Sequence, residues 1–145
     1  HFGVAHSNRD EDIDITGLEV AYAKGPYHIQ SEFISSEEND ASREGLYVQA
    51  GWIITGETRP YKNGIFKRVK PGNLSGAWEV VVRYEDGDGA YSDEELGSTD
   101  ATSYGIGLNY YLNKFIRIGA TFTDAKDNIN GDDGSEFRTR LQIAL

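Results

Sequence analysis

Gly17-Leu-Glu-Val-Ala-Tyr-Ala-Lys-Gly-Pro-Tyr-His-Ile-Gln-Ser-Glu-Phe33 holds two runs of alternating apolar and polar residues on either side of Gly25-Pro26. Alternation with a period of two places successive side chains on opposite faces of a strand, and a Gly-Pro pair favours a tight turn. The stretch therefore predicts an antiparallel β-hairpin with one apolar face and one polar face.

The same alternation recurs along the chain, and no ten-residue segment keeps the three-to-four spacing of an amphipathic helix. The predicted strands are 17–24, 27–36, 46–55, 77–85, 103–112, 115–123 and 137–145, with 1–5 as the end of one more. No linker or change of composition divides the chain, so we interpret residues 1–145 as a single unit. The predicted fold class is all-β, an antiparallel up-and-down sheet of about seven or eight strands.

The composition excludes several classes of function. The chain has 24 acidic and 14 basic residues and a net charge of −10, so no nucleic-acid partner is expected. It has no cysteine, which rules out disulfides and thiolate chemistry. No apolar run approaches the ~18 residues of a spanning helix, but this test does not detect barrel strands, in which only alternate residues are apolar.

The predicted links between strands differ in length and charge. Gly25-Pro26 and Asn113-Lys114 are tight turns, whereas the links at 36–45, 86–102 and 124–136 are long and acidic. In an antiparallel meander every second link emerges on the same side. The acidic loops therefore share one end of the sheet and the tight turns share the other, which is the layout of an outer-membrane barrel.

The apolar face of the predicted strands has aromatic residues near both ends and aliphatic residues between them. The aromatic residues near the tight-turn end are Tyr22, Tyr27, Trp52, Trp78 and Tyr110, and those near the acidic-loop end are Phe33, Tyr84, Tyr104, Phe122 and Phe137. A soluble β-sandwich also has one apolar face, but two aromatic belts are typical of a wall that crosses a bilayer. The pattern favours a transmembrane β-barrel.

Three stretches resemble the phosphate-selective porin O and P family. The first is the hairpin 17–33, in which a strand ending in Gly-Pro-aromatic returns through a strand with Gln and Glu. The second is 51–84, which contains Gly76-Ala-Trp-Glu79, and the third comprises the final strands with Gly107-Leu-Asn-Tyr-Tyr-Leu-Asn113 and 138–145. The likeness covers nearly the whole chain from Gly17 onward.

The resemblance implies a homotrimeric outer-membrane barrel of about sixteen strands, of which this chain would supply the C-terminal part. Inorganic anions such as phosphate would diffuse passively through it. Outer-membrane lipid and lipopolysaccharide would surround it, no cofactor would be needed, and the constriction would lie outside this segment. The chain opens at His1 without a leader, which fits a fragment.

Two groups of cations are candidates for contact with anions. The group expected on the lumen side of late strands consists of Arg83, Arg117, Arg138 and Arg140. Guanidinium groups there could pass phosphate oxygens along by charge-assisted hydrogen bonds, or they could pair with Glu79, Glu19 and Glu32 to hold the wall rigid.

The second group lies in residues 57–74, a long basic link that strand parity places at the tight-turn end. Its cations are Arg59, Lys62, Lys67, Arg68 and Lys70. They could form an anion trap on the periplasmic side, and a solvated loop is the alternative interpretation.

The sequence suggests no catalytic or metal-binding residues. His6 and His28 are isolated, the acidic clusters do not have the spacing of a calcium-binding loop, and no Ser-His-Asp set is evident, so we do not expect an enzyme. Two alternatives to the porin stay open at this point. One is a self-contained eight-stranded barrel that serves as an anchor or adhesin, and the other is a soluble ligand-binding sandwich.

Overall fold

A computed structural model describes residues 2–9, 13–38, 41–72, 74–90 and 98–144. The strands in these ranges are, in chain order, β1 Phe2–Arg9, β2 Ile13–Lys24, β3 Tyr27–Glu38, β4 Ala41–Ile53, β5 Tyr61–Lys62, β6 Ile65–Phe66, β7 Ala77–Ala90, β8 Ser98–Tyr111, β9 Ile116–Asp127 and β10 Asp133–Ile143. The all-β fold class is confirmed. The described ranges hold no helix with the length and hydropathy that a bilayer crossing requires.

Eight of these strands form one antiparallel sheet in the order β1-β2-β3-β4-β7-β8-β9-β10. If the short strands β5 and β6 are left out, each strand pairs with its neighbours in the chain. This is the predicted up-and-down arrangement. β1 and β10 are the edges, and within the described residues they do not pair with each other. The sheet is therefore neither a closed eight-stranded barrel nor, in the described part of the chain, one layer of a sandwich. It is consistent with a segment of a larger barrel.

The strands reach further toward the acidic-loop end than predicted. Pairing continues until Glu38 lies opposite Ala41 and Ala90 lies opposite Ser98, and the third link shrinks to residues 128–132. The predicted boundaries of all three acidic loops are wrong. The apolar alternation ends where the aromatic belt ends, but a ladder of backbone hydrogen bonds needs no apolar side chains and continues into water.

The apolar face is confirmed by the register of the strands. Tyr27 lies opposite Trp52 and Trp78 opposite Tyr110 near one end, with ring centroids 6.2 Å and 4.5 Å apart. Near the other end Tyr84 lies opposite Tyr104, with centroids 5.1 Å apart. Cross-strand pairing thus brings aromatic residues of neighbouring strands side by side near both ends of the apolar face.

The basic link after β4 is folded, which the solvated-loop interpretation does not predict. Its short strands β5 and β6 are joined by Asn63 and Gly64, whose φ angles are 54° and 75°. Two successive positive φ angles form the turn that matches the twist of a two-residue hairpin, and Asn-Gly is the pair that adopts it most readily. We call residues 54–72 the inner strap.

Candidate functional site

The four arginines assigned to late strands all lie on the polar face of the sheet, as predicted. Arg83 lies opposite Gln49 on β4, and Arg117 lies opposite Gln142 on β10. The remaining two are Arg138 and Arg140 on the edge strand β10. Because the apolar side chains occupy the alternate positions, this face is the one that would meet water inside a barrel.

Glu79 on β7 is the centre of a buried polar cluster on this face. Its Oε1 accepts hydrogen bonds from His28 Nε2 at 2.8 Å and from Arg59 Nη1 at 2.7 Å. Its Oε2 accepts hydrogen bonds from Asn109 Nδ2 at 3.0 Å and from the Tyr111 hydroxyl at 2.6 Å. A carboxylate offers about four acceptor positions, so that of Glu79 is fully used.

The burial of this cluster makes its pairing necessary. The side chain of Glu79 is 1% exposed and that of Arg59 is 13% exposed. An isolated charge at such a position is unfavourable, whereas a carboxylate that meets a guanidinium and further donors is tolerated. Glu79 therefore joins three strands and the inner strap at one point.

Gly51 on β4 makes room for His28 in the cluster. The two residues lie opposite each other in the sheet, and a Cβ at position 51 would lie 2.0 Å from His28 Nε2. Real Cβ atoms do not approach a ring so closely, so any larger residue would displace His28 from Glu79.

The inner strap lies against the polar face through apolar as well as polar contacts. Val69 is fully buried with Ile53, Ala77 and Tyr111, which are all on the polar side of their strands. The ring of Phe66 lies 5.2 Å from that of His28. The strap therefore covers the polar face of the sheet around Glu79.

A second attachment holds the strap to the turn between β8 and β9. Arg68 Nη1 donates to the Phe115 carbonyl at 2.7 Å, and it lies 3.4 Å from the Lys114 carbonyl. Three lysines of the strap are exposed: Lys62, Lys67 and Lys70. The five cations thus divide into two arginines that bind protein groups and three lysines that face solvent.

Glu57 closes the strap onto itself. It accepts hydrogen bonds from the Thr55 hydroxyl and, at 3.2 Å, from the Gly72 N–H, so it joins the two ends of the strap. Burial by itself raises the pKa of Glu57, but the hydrogen bonds from Thr55, from its own N–H and from Gly72 hold that pKa below its usual range.

Arg83 is held within the wall. Its Nε donates to Glu85 Oε1 at 2.6 Å, its Nη1 donates to Gln49 at 3.3 Å, and its guanidinium lies 4.3 Å from the centre of the Tyr47 ring. Glu85 also accepts a hydrogen bond from Ser103 at 3.1 Å. The charge of Arg83 is therefore balanced.

The arginines of β9 and β10 are less restrained. Arg138 Nη2 lies 2.9 Å from both oxygens of Glu136, and both side chains are about 60% exposed. Among the described residues no carboxylate pairs with Arg117 or Arg140. Within the described ranges none of the expected partners Glu79, Glu19 and Glu32 forms an ion pair with these four arginines, and Glu79 pairs with Arg59 instead.

Two adjoining cavities lie on the polar face beside these arginines. A cavity of about 310 Å³ is bordered by Arg59, Glu79, Arg83 and Arg117, and a second of about 190 Å³ is bordered by Arg117, Arg138 and Arg140. Both are also lined by Asn109, Thr121 and Thr123. Guanidinium, amide and hydroxyl donors suit an oxyanion of moderate size.

The sequence did not predict the Glu79 cluster. Strand alternation accounts for Glu79 and His28 on the polar face, but Arg59 is twenty positions away in the strap, and only the fold brings it to Glu79. The Asn63-Gly64 pair was a sequence signal for a folded link. No group of three or more histidines, cysteines or carboxylates in the described ranges could hold a metal.

Comparisons with known proteins agree with this geometry. Residues 2–145 match the family model of phosphate-selective porin O and P. The chain is 38% identical to Porin O of Pseudomonas aeruginosa over 93% of its own length, and 34% identical to an uncharacterized protein of Caulobacter vibrioides over 48%. It spans 36% of the length of Porin O and 16% of the Caulobacter protein. The chain belongs to the phosphate-selective porin O and P family and is an outer-membrane protein.

Proposed function

We propose that this chain is the C-terminal portion of an anion-selective outer-membrane channel through which phosphate or related anions diffuse passively. The observation that carries the proposal is the presence of two arginines, Arg117 and Arg140, on the polar face without a carboxylate partner among the described residues. Of the five guanidiniums that border the two cavities, the other three each face a glutamate. The surplus positive charge lies on β9 and β10.

This surplus gives the path its selectivity. A guanidinium next to water presents several N–H donors in a plane and binds phosphate oxygens through charge-assisted hydrogen bonds. Weak attachment at successive positions lets an anion enter and leave, which conduction requires. Arg83 and Arg138 belong to the same path, with their charges balanced by Glu85 and Glu136.

The exposed side of the inner strap supplies the second part of the proposal. Lys62, Lys67 and Lys70 attract anions at the inner, periplasmic end, while Arg59 and Arg68 hold the strap in place. This division refines the predicted anion trap, in which all five cations had the same part.

The complete channel requires more than these residues. An open sheet with two edge strands must pair with further strands to satisfy its backbone in a bilayer. The proposed assembly is a homotrimer of barrels of about sixteen strands, in contact with lipid and lipopolysaccharide, and 1–145 form one continuous segment of each barrel. A channel of this kind needs neither a cofactor nor catalytic residues.

The proposal is tested with the complete parent protein in planar bilayers. Chloride current is recorded while inorganic phosphate is added, and the half-blocking concentration is compared between the wild type and the double variant R117Q/R140Q. The loss of two charge-assisted hydrogen bonds is expected to raise this concentration about tenfold or more. Lys126→Gln is the matched control, since it removes one positive charge from the opposite face of β9. An unchanged block in the double variant would refute the proposal.

A further inference from the structure

The side-chain amide of Asn109 on β8 has its two polar atoms in different surroundings. Its Nδ2 donates to Glu79 Oε2 at 3.0 Å. An ionised carboxylate can only accept hydrogen bonds, so it must face the nitrogen of the amide, and Oδ1 is turned the other way. Glu79 therefore fixes the orientation of Asn109 and leaves the carbonyl oxygen of its side chain to face β9.

Gly119 on β9 makes room for this carbonyl. The two residues lie opposite each other in the sheet, and a Cβ at position 119 would lie 2.8 Å from Asn109 Oδ1. Real Cβ atoms do not approach an oxygen so closely, so the carbonyl can lie over β9 only because position 119 has no side chain. Among the described residues no donor is bonded to Asn109 Oδ1.

This carbonyl borders the same cavity as the two arginines that have no carboxylate partner among the described residues. The cavity of about 190 Å³ is lined by Asn109, Gly119, Arg117 and Arg140, among others. Arg140 lies opposite Gly119 on β10, and Arg117 precedes Gly119 by two positions on the same face of β9. An anion that both guanidiniums contact is therefore expected to lie over Gly119, within reach of Asn109 Oδ1.

The other polar groups of this cavity do not distinguish one oxyanion from another. Thr121 and Thr123 carry hydroxyls, which rotate to donate or to accept as the ligand requires. Glu136 also lines the cavity, but both of its oxygens lie 2.9 Å from Arg138 Nη2. The carbonyl of Asn109 can only accept, so it favours a ligand that brings a hydroxyl group of its own.

We propose that Asn109 selects oxyanions that carry a hydroxyl group. Hydrogen phosphate in this cavity donates its O–H to Asn109 Oδ1, while its other oxygens accept from Arg117 and Arg140. Sulfate, which carries no proton at neutral pH, turns an acceptor oxygen toward Oδ1 and leaves that carbonyl unpaired. A site built to bind a hydroxyl disfavours an analogue that lacks one. The inference rests on the proposed function for the presence of an anion between the two arginines.

The proposal is tested with two dianions that differ in one group. In mildly alkaline solution hydrogen phosphate and fluorophosphate have the same charge and nearly the same size, but a fluorine atom, which cannot donate, replaces the hydroxyl. Each is added to the complete parent protein in planar bilayers, and the concentration that half-blocks the chloride current is measured. In the wild type this concentration is expected to be about fivefold higher for fluorophosphate than for hydrogen phosphate. The ratio of the two concentrations measures the preference for the hydroxyl.

Two substitutions remove the preference by different routes. Asn109→Leu keeps nearly the same shape without an acceptor, so the ratio is expected to fall to about one. Gly119→Ala keeps every polar group but pushes Oδ1 away from the cavity, and it is expected to lower the ratio about threefold. Gly134→Ala is the matched control. It adds the same methyl group to the polar face of β10, where a Cβ meets no atom within 4 Å, so the ratio should not change.

A merely structural role of Asn109 would change the block by both dianions equally and leave their ratio as it is. An unchanged ratio in Asn109→Leu therefore overturns the proposal, and so does a wild-type ratio of about one. If Asn109→Leu fails to assemble, Gly119→Ala decides: a lowered ratio supports the selection by Asn109, and an unchanged ratio overturns it.

The same recordings separate this proposal from the proposed function. If R117Q/R140Q weakens the block by both dianions while the wild-type ratio is about one, the anion path stands and the selection by Asn109 does not. If the double variant leaves the block unchanged while Asn109→Leu lowers the ratio, the selection stands and the path along the two arginines is refuted. If neither dianion blocks the wild-type current, both proposals fail.

Discussion

Two arginine–glutamate pairs lie on the polar face of the sheet, one at its inner end and one on its last strand. The two pairs differ in burial. At the inner end the side chains of Arg59 and Glu79 are 13% and 1% exposed. On β10 the side chains of Arg138 and Glu136 are 62% and 60% exposed. Their ion-pair distances, 2.7 Å and 2.9 Å, are almost equal. Distance alone therefore does not tell a structural pair from one that is available to a ligand.

Burial changes what each pair can do. At the inner end, water cannot replace a lost partner, so each group is committed to the other. On β10 water competes for both groups, so the pair contributes little to stability and an anion can compete with Glu136 for Arg138. The buried region is expected to control stability and the position of the strap, and the exposed region is expected to control affinity for anions.

The largest expected effect is on the stability of the inner region. Glu79→Gln removes the charge that Arg59 faces and is expected to lower the free energy of unfolding by about 3–5 kcal/mol, because it leaves a buried cation unpaired. The matched control is Glu85→Gln on the same strand and face, where the half-exposed pair with Arg83 is worth about 0–1 kcal/mol. Urea unfolding of the complete parent protein in detergent micelles measures both. Equal losses in the two variants would contradict the distinction between the regions.

Much of the fold followed from the sequence because one physical pattern determined it. The alternation at 17–33 gave the hairpin and its two faces, and the register confirmed both. The pattern failed beyond the aromatic belts, where strand residues such as Glu37 and Asp88 project into water with no apolar alternation to reveal them. Hydrophobic periodicity reports the part of a strand that meets lipid, and backbone pairing extends past it.

The candidate site was less accessible to sequence reasoning. The face of Arg117 and Arg140 could be assigned by counting positions along a strand. The partner of Glu79 could not be, because Arg59 lies in a link whose path across the sheet is set by the packing of Val69 and Phe66 and not by any local pattern. Side chains carried by irregular segments cannot be placed by arguments from hydrophobic periodicity.

The second expected effect concerns the space that the His28 ring occupies beside Gly51. Gly51→Ala places a methyl group where the ring now lies, which forces His28 away from Glu79 and is expected to cost about 1–3 kcal/mol. Gly45→Ala on the same strand and face is the control, since a Cβ there meets no atom within 4 Å. The urea midpoint should fall only in the first variant. A fall of the same size in both would show that glycine itself, and not the room for His28, matters at these positions.

The third expected effect is on anion affinity. This substitution is expected to raise affinity, whereas the first two are expected to lower stability. Glu136→Gln frees Arg138 from its exposed partner, so the phosphate concentration that half-blocks the chloride current is expected to fall about threefold, or by ~0.6 kcal/mol. The unfolding midpoint should stay within about 0.5 kcal/mol of wild type, as for most surface substitutions. A large loss of stability with no change in the half-blocking phosphate concentration would contradict this prediction. It would show that the Arg138–Glu136 pair is structural, like the pair of Arg59 and Glu79.

The smallest expected effect lies in the strap, where Glu57 combines partial exposure with a lowered pKa. Because its pKa in the folded protein is below the unfolded value, its stabilisation is fully present above the unfolded pKa and is lost as the pH falls through the folded one. Hydrogen exchange at the Gly72 amide, which donates to Glu57, should be slower in wild type than in Glu57→Gln by about twofold at pH ~6. The difference should vanish as the pH falls from ~5 to ~3. Since glutamine cannot titrate in this range, a ratio that stays constant with pH would show that the carboxylate acts through its shape and not through its charge.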